Sequence, residues 1–560
     1  MAIPREPVVE MQRRFGRPGT GVLDRLRQAR AASGQLTPES IDAVAAELGL
    51  PRAHVYGAAT FFEEIGLRRR GERHVQVCAG TACFAVSGGR HVPAVERQLG
   101  LSRGECLPDG SLSLQPVYCL GYCYGGPAAL DNEQACVGPD LVDQLSGAAE
   151  RRDPEIPAYS AVDRPVLLAG VLRGEQSWRV WPDVVRARDG AAVIAQVTAS
   201  GLRGRGGAGF PASHKWSAAA AAPTPGPRYI VVNGDEGDPG SYIDRLLLQR
   251  DPHRVLEGTA LAGLASGATQ GYIYVRSEYP GARDRMREAV REARAAGHLG
   301  EDVHGSGFSF DVEVVEGAGS YVAGEETSLI HSMEGLRGGT LARPPFPTSS
   351  GLFTYPTVVN NVESVATVPW IVANGGAAYS ALGHGGEHGQ RLVCVNATFE
   401  RPGVYEVPLG IPLHVIVEDL AGGLKEGKRL RSLQIGGPLG GFLPPTKLDV
   451  PLSAPALAAE GVALGHASLL AFDHSIPGRA IMRHLWRFAA AESCGTCSPC
   501  RVGTRRGLEL SRRGDLDGVH AVCDTMSATS LCAFGPGVAQ AARSIMRVYA
   551  DEFDQEGTSR

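Results

Sequence analysis

Twelve cysteines fall at positions 78, 83, 106, 119, 123, 136, 394, 494, 497, 500, 523 and 532, in two groups at opposite ends of the chain with only Cys394 between Cys136 and Cys494. No other feature constrains the fold as tightly, because clustered thiols must be bridged, metallated or buried. The opening MAIPREPVVEMQRRFG has no apolar run suited to secretion, and no uninterrupted apolar stretch of about eighteen residues occurs anywhere. A cytoplasmic setting without direct membrane insertion is therefore expected. Thiols stay reduced there, so close-set cysteines point to metal ligation or catalysis before disulfides. The 560 residues, 43% hydrophobic and 21% charged, fit a globular protein of about three or four domains. A net charge of −5 offers no basic footprint for nucleic acid.

The first group is Cys78-x4-Cys83 with Cys119-x3-Cys123, each pair placed where a strand gives way to a glycine-containing loop. Four thiolates in two pairs are the ligand set of a [2Fe–2S] cluster, and backbone N–H groups in such loops can point at the sulfurs. A structural zinc would use the same residue types, and spacing alone does not separate the two. The second group, ESCGTCSPCRVGT, sets Cys494, Cys497 and Cys500 three residues apart, as a chain wrapping one face of a [4Fe–4S] cube requires. The fourth ligand is Cys523 or Cys532. Cys532 is preferred because LCAFGPG is a glycine-bearing loop, whereas Cys523 in VHAVCDTM suits a helix interior. Cys106, Cys136 and Cys394 are read as packing residues.

Between these groups lies most of the glycine-rich sequence; the chain holds 73 glycines, close to twice the usual share of about 7%. ASGLRGRGGAGFPASHKW contains Gly204-x-Gly206-x-x-Gly209, but AAVIAQVTASGL before it reads as helix and Pro211 follows at once, unlike a standard dinucleotide fingerprint. The loop can still cradle phosphate through its N–H groups, with Arg205 and Lys215 adding charge. VVNGDEGDPGSYIDR ends a strand in Asp235, Glu236 and Asp238, EGAGSYVAGEETSLIHSMEG carries Glu325 and Glu326, and PTVVNNVES carries Asn360 and Asn361. Acids grouped with glycines accept from ribose hydroxyls or bind a metal.

The organisation expected is multidomain α/β. Residues 1–150 form a helical prefix plus a small α/β unit, with Thr37, Pro38 and Gly49 punctuating the first helix. Residues 151–165 read as a polar linker. Residues 166–390 alternate helices with the strands RYIVVN, GYIYVR and FDVEVVEG. Residues 391–465 read as a small α+β insert, and 466–560 as a helical block without strands.

These motifs resemble the flavoprotein of the NADH-dehydrogenase family, the 51-kDa-type subunit of respiratory complex I and its relatives, and the first block resembles its 24-kDa-type partner. The chain thus looks like a fusion of two electron-input subunits, as also serve NAD-linked formate dehydrogenases and NAD-reducing hydrogenases. The resemblance implies a thioredoxin-like [2Fe–2S] domain on Cys78, Cys83, Cys119 and Cys123, a Rossmann-like FMN and NADH domain, a ubiquitin-like (SLBB-type) insert at 391–465, and a helical [4Fe–4S] domain on Cys494, Cys497, Cys500 and Cys532. It places FMN on Gly204, Arg205, Gly206, Lys215, Asn233, Asp235, Glu236, Tyr321, Gly324, Glu325, Glu326, Asn360 and Asn361. NADH is then approached by Phe210, Asp238, Glu326 and Phe346. Asp238 and Arg343 stand where respiratory relatives have Glu and Lys, and Ala218 replaces a Phe of the KWSF pattern. CAFG replaces CALG, and the Cys500–Cys532 interval is shorter than the family's.

The resulting expectation is an NAD(H) diaphorase in which flavin mediates between hydride and one-electron carriers. No side chain need transfer protons, Glu326 being the nearest candidate. Glu325 and Glu326 disfavour the extra phosphate of NADPH. No molybdopterin, nickel or quinone motif is present, so a separate catalytic subunit is expected. The alpha subunit of a molybdenum or tungsten formate dehydrogenase is favoured, on the fusion and on NGDEGDPG, with hydrogenase or complex I subunits as alternatives. A zinc-stabilised scaffold without enzymatic activity is the reading from another class.

Overall fold

The structure, a computed structural model, describes residues 21–425 and 427–553. The opening segment read above for secretion signals lies outside them. Three sheets organise the described residues, and helices fill the space between and around them.

The helical prefix forms first. Thr37 caps the helix Pro38–Leu48 by accepting from the Ser40 N–H at 3.2 Å, the Ser40 hydroxyl accepts from the Thr37 N–H in return, and Gly49 ends the helix at φ 65°. With Val22–Ser33 and Arg52–Phe61 it encloses a small core of Val22, Leu26, Ile41, Val44, Val55 and Phe62. This bundle rests on the loop 316–319. The Glu63 and Glu64 N–H groups donate to Gly319 and Ala318 carbonyls, both at 3.1 Å.

The first sheet holds β1 (Arg73–Cys78), β2 (Glu105–Cys106), β3 (Leu112–Val117), β4 (Ala128–Asp131) and β5 (Gln134–Val137) in the order β2-β3-β1-β4-β5. Only β1 and β3 are parallel. The alternating valines of HVQVC turn Val75 and Val77 into a core shared with Val92, Val95 and Leu114. Cys136 packs there, fully buried.

The second sheet is wholly parallel: β7 (Tyr229–Gly234), β8 (Gln270–Val275), β9 (Asp311–Glu316) and β10 (Thr357–Asn361), ordered β10-β7-β8-β9. Successive strands step outward from β7 on one side, but β10 returns to its other side. The order therefore reverses between β7 and β10, and in open α/β sheets the ligand crevice lies beyond the carboxyl ends of such a pair.

The third sheet, β14-β13-β15-β11-β12-β6, departs from the expected boundaries. β6 (Ala158–Ser160) lies in the stretch read as a linker and pairs in parallel with β12 (Gly403–Pro408). Its three residues carry no periodic signal; the pairing is supplied by the edge of β12. β15 (Ser468–Asp473) lies in the block read as strandless and runs between β11 (Gln390–Val395) and β13 (Leu430–Ile435). All six residues of SLLAFD are buried, and a strand covered on both faces shows no alternation to read. β14 (Gly441–Leu443) completes the sheet.

Five helices end the described residues, Gly478–Glu492, Ser498–Arg513, Leu516–Thr529, Phe534–Val548 and the short Ala550–Phe553. No helix among the described residues is long and apolar enough to cross a membrane.

Candidate functional site

The first cysteine set is built on the parallel pair β1 and β3. Cys78 ends β1 opposite Val117, so Cys119, two residues on, emerges beside it. Cys83 lies in the helix Thr81–Ser87 and Cys123 in the following loop, and all four thiols are buried at 2% exposure or less. Cys119 and Cys123 sulfurs stand 3.5 Å apart, and the Gly121 N–H donates to the Cys119 sulfur at 3.3 Å. A hydrogen bond from the Cys83 thiol, with N–H groups of Gly80, Leu120 and Cys119, holds the Cys78 thiol down at about 7 against its burial. Gly126 faces the set so closely that a Cβ there would lie 2.9 Å from the Cys83 sulfur. The loop is pinned from the helix Ile243–Arg250: Arg245 lies 3.9 Å over the Tyr122 ring and donates to the Gly121 carbonyl at 3.0 Å.

The second set sits at helix starts. Cys494 follows the helix Gly478–Glu492, Cys497 caps Ser498–Arg513, and Cys500 lies in that helix's first turn. Burial pushes the Cys500 thiol up to about 12, with the neighbouring Cys497, Cys532 and Cys494 adding to the rise. Cys532 thus converges with the other three. Cys523, buried in Leu516–Thr529, has Arg543 and Asp524 as its charged neighbours and no cysteine among them. Cys494, Cys497 and Cys532 are only partly buried. Arg337 donates to the Cys494 carbonyl at 2.8 Å and lies 5.3 Å over the Phe61 ring, tying this loop to the helical prefix.

Beyond the carboxyl ends of β7 and β10, where the strand order reverses and such sheets place their ligand crevice, several segments gather. Asn361 on β10 is in register with Asn233 on β7, and the Gly204–Gly209 loop crosses above them. A Cβ at Gly206 would lie 3.1 Å from Asn361, and one at Gly324 3.1 Å from the Asp235 carbonyl, so chain approaches chain there without room for side chains. Asn233 donates to the Gly324 carbonyl at 2.7 Å, joining the β7 end to the Tyr321–Glu326 segment. Lys215 reaches Glu326 at 2.7 Å, Arg343 pairs with both Glu326, at 2.9 Å, and Glu325, and Glu325 also caps the helix Glu326–Met333. The Tyr321 hydroxyl donates to Asp238 at 2.6 Å. Asp235 is the exception among these paired groups. Its side chain is 6% exposed, one carboxyl oxygen has no protein partner, and burial pushes its pKa up to about 8 despite Arg276 at 4.0 Å. Phe210 and Phe346 are 50% and 54% exposed, Phe210 standing edge-on to His214 with ring centroids 6.1 Å apart.

Several expected contacts are turned elsewhere. The Arg205 side chain does not add charge to the glycine loop; it is buried, donating to the Tyr379 hydroxyl at 2.9 Å and the Gln390 carbonyl at 3.0 Å. Only its N–H stays at the loop, bonded to the Ser364 hydroxyl at 2.9 Å. Glu236 is fully buried and accepts from the N–H groups of Ile243, Asp244 and Arg245, so it caps the helix Ile243–Arg250. Asn360 accepts from the Trp216 indole at 2.8 Å, and Asn361 donates to Asp244 at 2.7 Å. Sequence reasoning missed Arg245, Arg276 and Phe488, each buried and each joining two segments remote in sequence. Their signal is three-dimensional, since a lone Arg or Phe in a helix or strand looks like surface or core.

Comparison with known proteins gives these features a family. Residues 8–143 match a thioredoxin-like [2Fe–2S] ferredoxin, 197–370 the Nuo51 FMN-binding domain, and 480–556 the NADH-ubiquinone oxidoreductase-F iron–sulfur binding region. The NADP-reducing hydrogenase subunit HndC of Solidesulfovibrio fructosivorans is 40% identical over 372 residues, which cover 65% of this chain and 76% of that relative. The F subunit of NADH-quinone oxidoreductase from Escherichia coli (strain K12) is 36% identical over 397 residues, covering 67% and 89%. A crystal structure of NAD+-reducing [NiFe]-hydrogenase in the H2-reduced state superposes over 96% of this chain and 93% of its own, with a TM-score of 0.85 at 28% identity. The chain therefore belongs to the family of the NADH-quinone oxidoreductase F subunit, FMN- and iron–sulfur-containing NAD(H) oxidoreductases, with the thioredoxin-like [2Fe–2S] module fused on the same polypeptide.

Proposed function

We propose that the chain is the diaphorase subunit of a soluble NAD-linked assembly, exchanging electrons between NAD(H) and a metal-containing catalytic subunit. One observation carries this reading: two convergent four-cysteine sets share one chain with the topological switch point of a parallel sheet. The residues fit the groups the family uses. The donor sets are all cysteine, Gly206 and Gly324 let backbone segments approach closely at the switch point, and one Asp235 carboxyl oxygen is buried without a protein partner. Bound FMN supplies the conversion between two-electron hydride exchange and one-electron transfer.

In this reading Cys78, Cys83, Cys119 and Cys123 hold the [2Fe–2S] cluster, and Cys494, Cys497, Cys500 and Cys532 the [4Fe–4S] cluster. Backbone of Gly204–Gly206 with Lys215 receives the flavin phosphate, Asn233, Asp235 and Gly324 its polar edge, and Phe210 and Phe346 the nicotinamide nucleotide. Glu236, Asn360 and Asn361 act one layer out, fixing the elements that carry those groups. The neutral carboxyl of Asp235 can donate a hydrogen bond where an ionised one could not. A ubiquitin-like insert is supported by the order β14-β13-β15-β11-β12, in which only β11 and β15 are parallel, and β15 carries it past residue 465 to Asp473.

The partner's substrate is read as formate, from the fusion and the NGDEGDPG loop, with NAD+ reduction as the working direction. Dihydrogen is the second reading, favoured by the near full-length likeness to a chain of an NAD+-reducing hydrogenase. The preference for NADH over NADPH keeps its acidic argument, though Arg343 and Lys215 offset Glu325 and Glu326. Purification of the native assembly tests this: molybdenum or tungsten with formate-dependent NAD+ reduction supports the first reading, nickel with hydrogen-dependent reduction the second. Comparable turnover with NADPH removes the cofactor preference.

A further inference from the structure

Three aromatic rings from remote parts of the chain meet the ring of Phe488, which lies toward the end of the helix Gly478–Glu492 and is fully buried. Its ring stands edge-on to Tyr118, with centroids 5.4 Å apart at 79°, and to Tyr321, 5.1 Å apart at 83°. Phe534 lies 6.3 Å from Phe488 and 5.6 Å from Tyr321. Each partner belongs to a different redox station. Tyr118 immediately precedes Cys119. Phe534 lies two residues beyond Cys532, and its N–H faces that sulfur. Tyr321 lies on the crevice, its hydroxyl on Asp238 and its ring so close to Gly237 that a Cβ there would be 2.9 Å away.

A purely structural core position requires apolar volume; it does not require contact with three rings that each adjoin a separate electron carrier. Electron transfer through protein weakens steeply across any gap; Phe488 meets Tyr118 and Tyr321 edge to face, and Phe534 lies tilted beside both Phe488 and Tyr321. A leucine at 488 would keep much of the apolar volume but withdraw the ring edges, opening space on all three sides.

We infer that Phe488 is the junction through which the [2Fe–2S] site exchanges single electrons with the flavin crevice and the [4Fe–4S] site, with Tyr118, Tyr321 and Phe534 as its arms. The inference rests on the ligand sets proposed above. NADH supplies two electrons as hydride and leaves as NAD+. With the flavin and both clusters bound, each crossing would carry one of the hydride's two electrons to the two-iron site and leave the other for the four-iron site; no bond would form or break, and no ring would be oxidised.

The test mixes full-length holoprotein with NADH and follows flavin bleaching by stopped flow and each cluster by freeze-quench electron paramagnetic resonance. In Phe488→Leu the two-iron signal is expected to lose its fast phase and lag flavin bleaching, with both cluster midpoint potentials unchanged. Phe488→Tyr, which keeps the ring, restores the fast phase. Tyr118→Leu, at a half-buried position, slows the two-iron signal and spares the four-iron one, so the question is decided even if Phe488→Leu does not fold. A wild-type rate of two-iron reduction in either leucine variant overturns the junction, as does a slowed rate accompanied by shifted potentials. A wild-type protein in which NADH elicits no two-iron signal removes the ligand reading and the junction with it.

Discussion

The two cysteine sets use the same ligand chemistry in opposite settings. The first is sunk into a core at the ends of two parallel strands, each thiol at 2% exposure or less, with backbone N–H groups around it. The second sits at the starts of helices, with three of its four thiols partly open to solvent and Val502 and Leu531 exposed nearby at 60% and 40%. Burial and hydrogen bonding tune a cluster, and exposure sets which carrier a partner can reach. On the function proposed above, the difference gives the two sites different work: the buried set would exchange electrons inside the molecule, and the open set would be the exit toward a partner.

That contrast can be broken at the exit. Cys497→Ser is expected to abolish the four-iron signal and electron delivery to the partner while the two-iron signal survives. With a chelator and mild oxidant, iron loss should begin at the four-iron site, which spectroscopic time courses would show; simultaneous loss would remove the distinction. A smaller effect is expected from Gly126→Ala, whose new Cβ must displace the Cys83 sulfur 2.9 Å away. Overpacking of this kind costs about 1–3 kcal/mol, so two-iron occupancy and the melting temperature should fall while four-iron content holds. Phe346→Ala should raise KM for NADH on the order of tenfold, the scale of one lost aromatic stack on a base, with both cluster spectra unchanged.

A separate effect concerns pH. Burial raises the Asp235 pKa to about 8, so the folded chain keeps a proton that the unfolded chain releases. Its contribution to stability is complete below about pH 4 and is lost as pH rises toward about 8. Asp235→Asn should flatten the melting temperature across that window, measured on flavin-free protein. An unchanged slope would show that this carboxyl is already ionised in the fold.

What the sequence revealed followed from local chemistry. The cysteine spacings and the glycine loops are written in consecutive residues, and RYIVVN, GYIYVR and FDVEVVEG carry enough β-branched and aromatic residues to be read as strands. Cys532 could be preferred over Cys523 because a glycine loop and a helix interior differ in composition. What stayed hidden depends on where side chains turn after folding. Arg205 and Glu236 lie inside ligand-like motifs, yet one enters the core toward Tyr379 and the other caps a helix. β15 was illegible because burial on both faces erases alternation, and β6 because its partner lies far along the chain. Phe488 gave no signal, since its neighbours come from three other segments.

The central claim is that this one chain takes electrons from NADH and holds them on two distinct clusters. An anaerobic NADH titration of the purified protein, with iron and flavin quantified and both clusters followed by electron paramagnetic resonance, tests it most directly. The account predicts about six irons per FMN, and two separate signals that NADH elicits. Colourless protein carrying zinc in place of iron, or iron-loaded protein that NADH leaves oxidised, would contradict it.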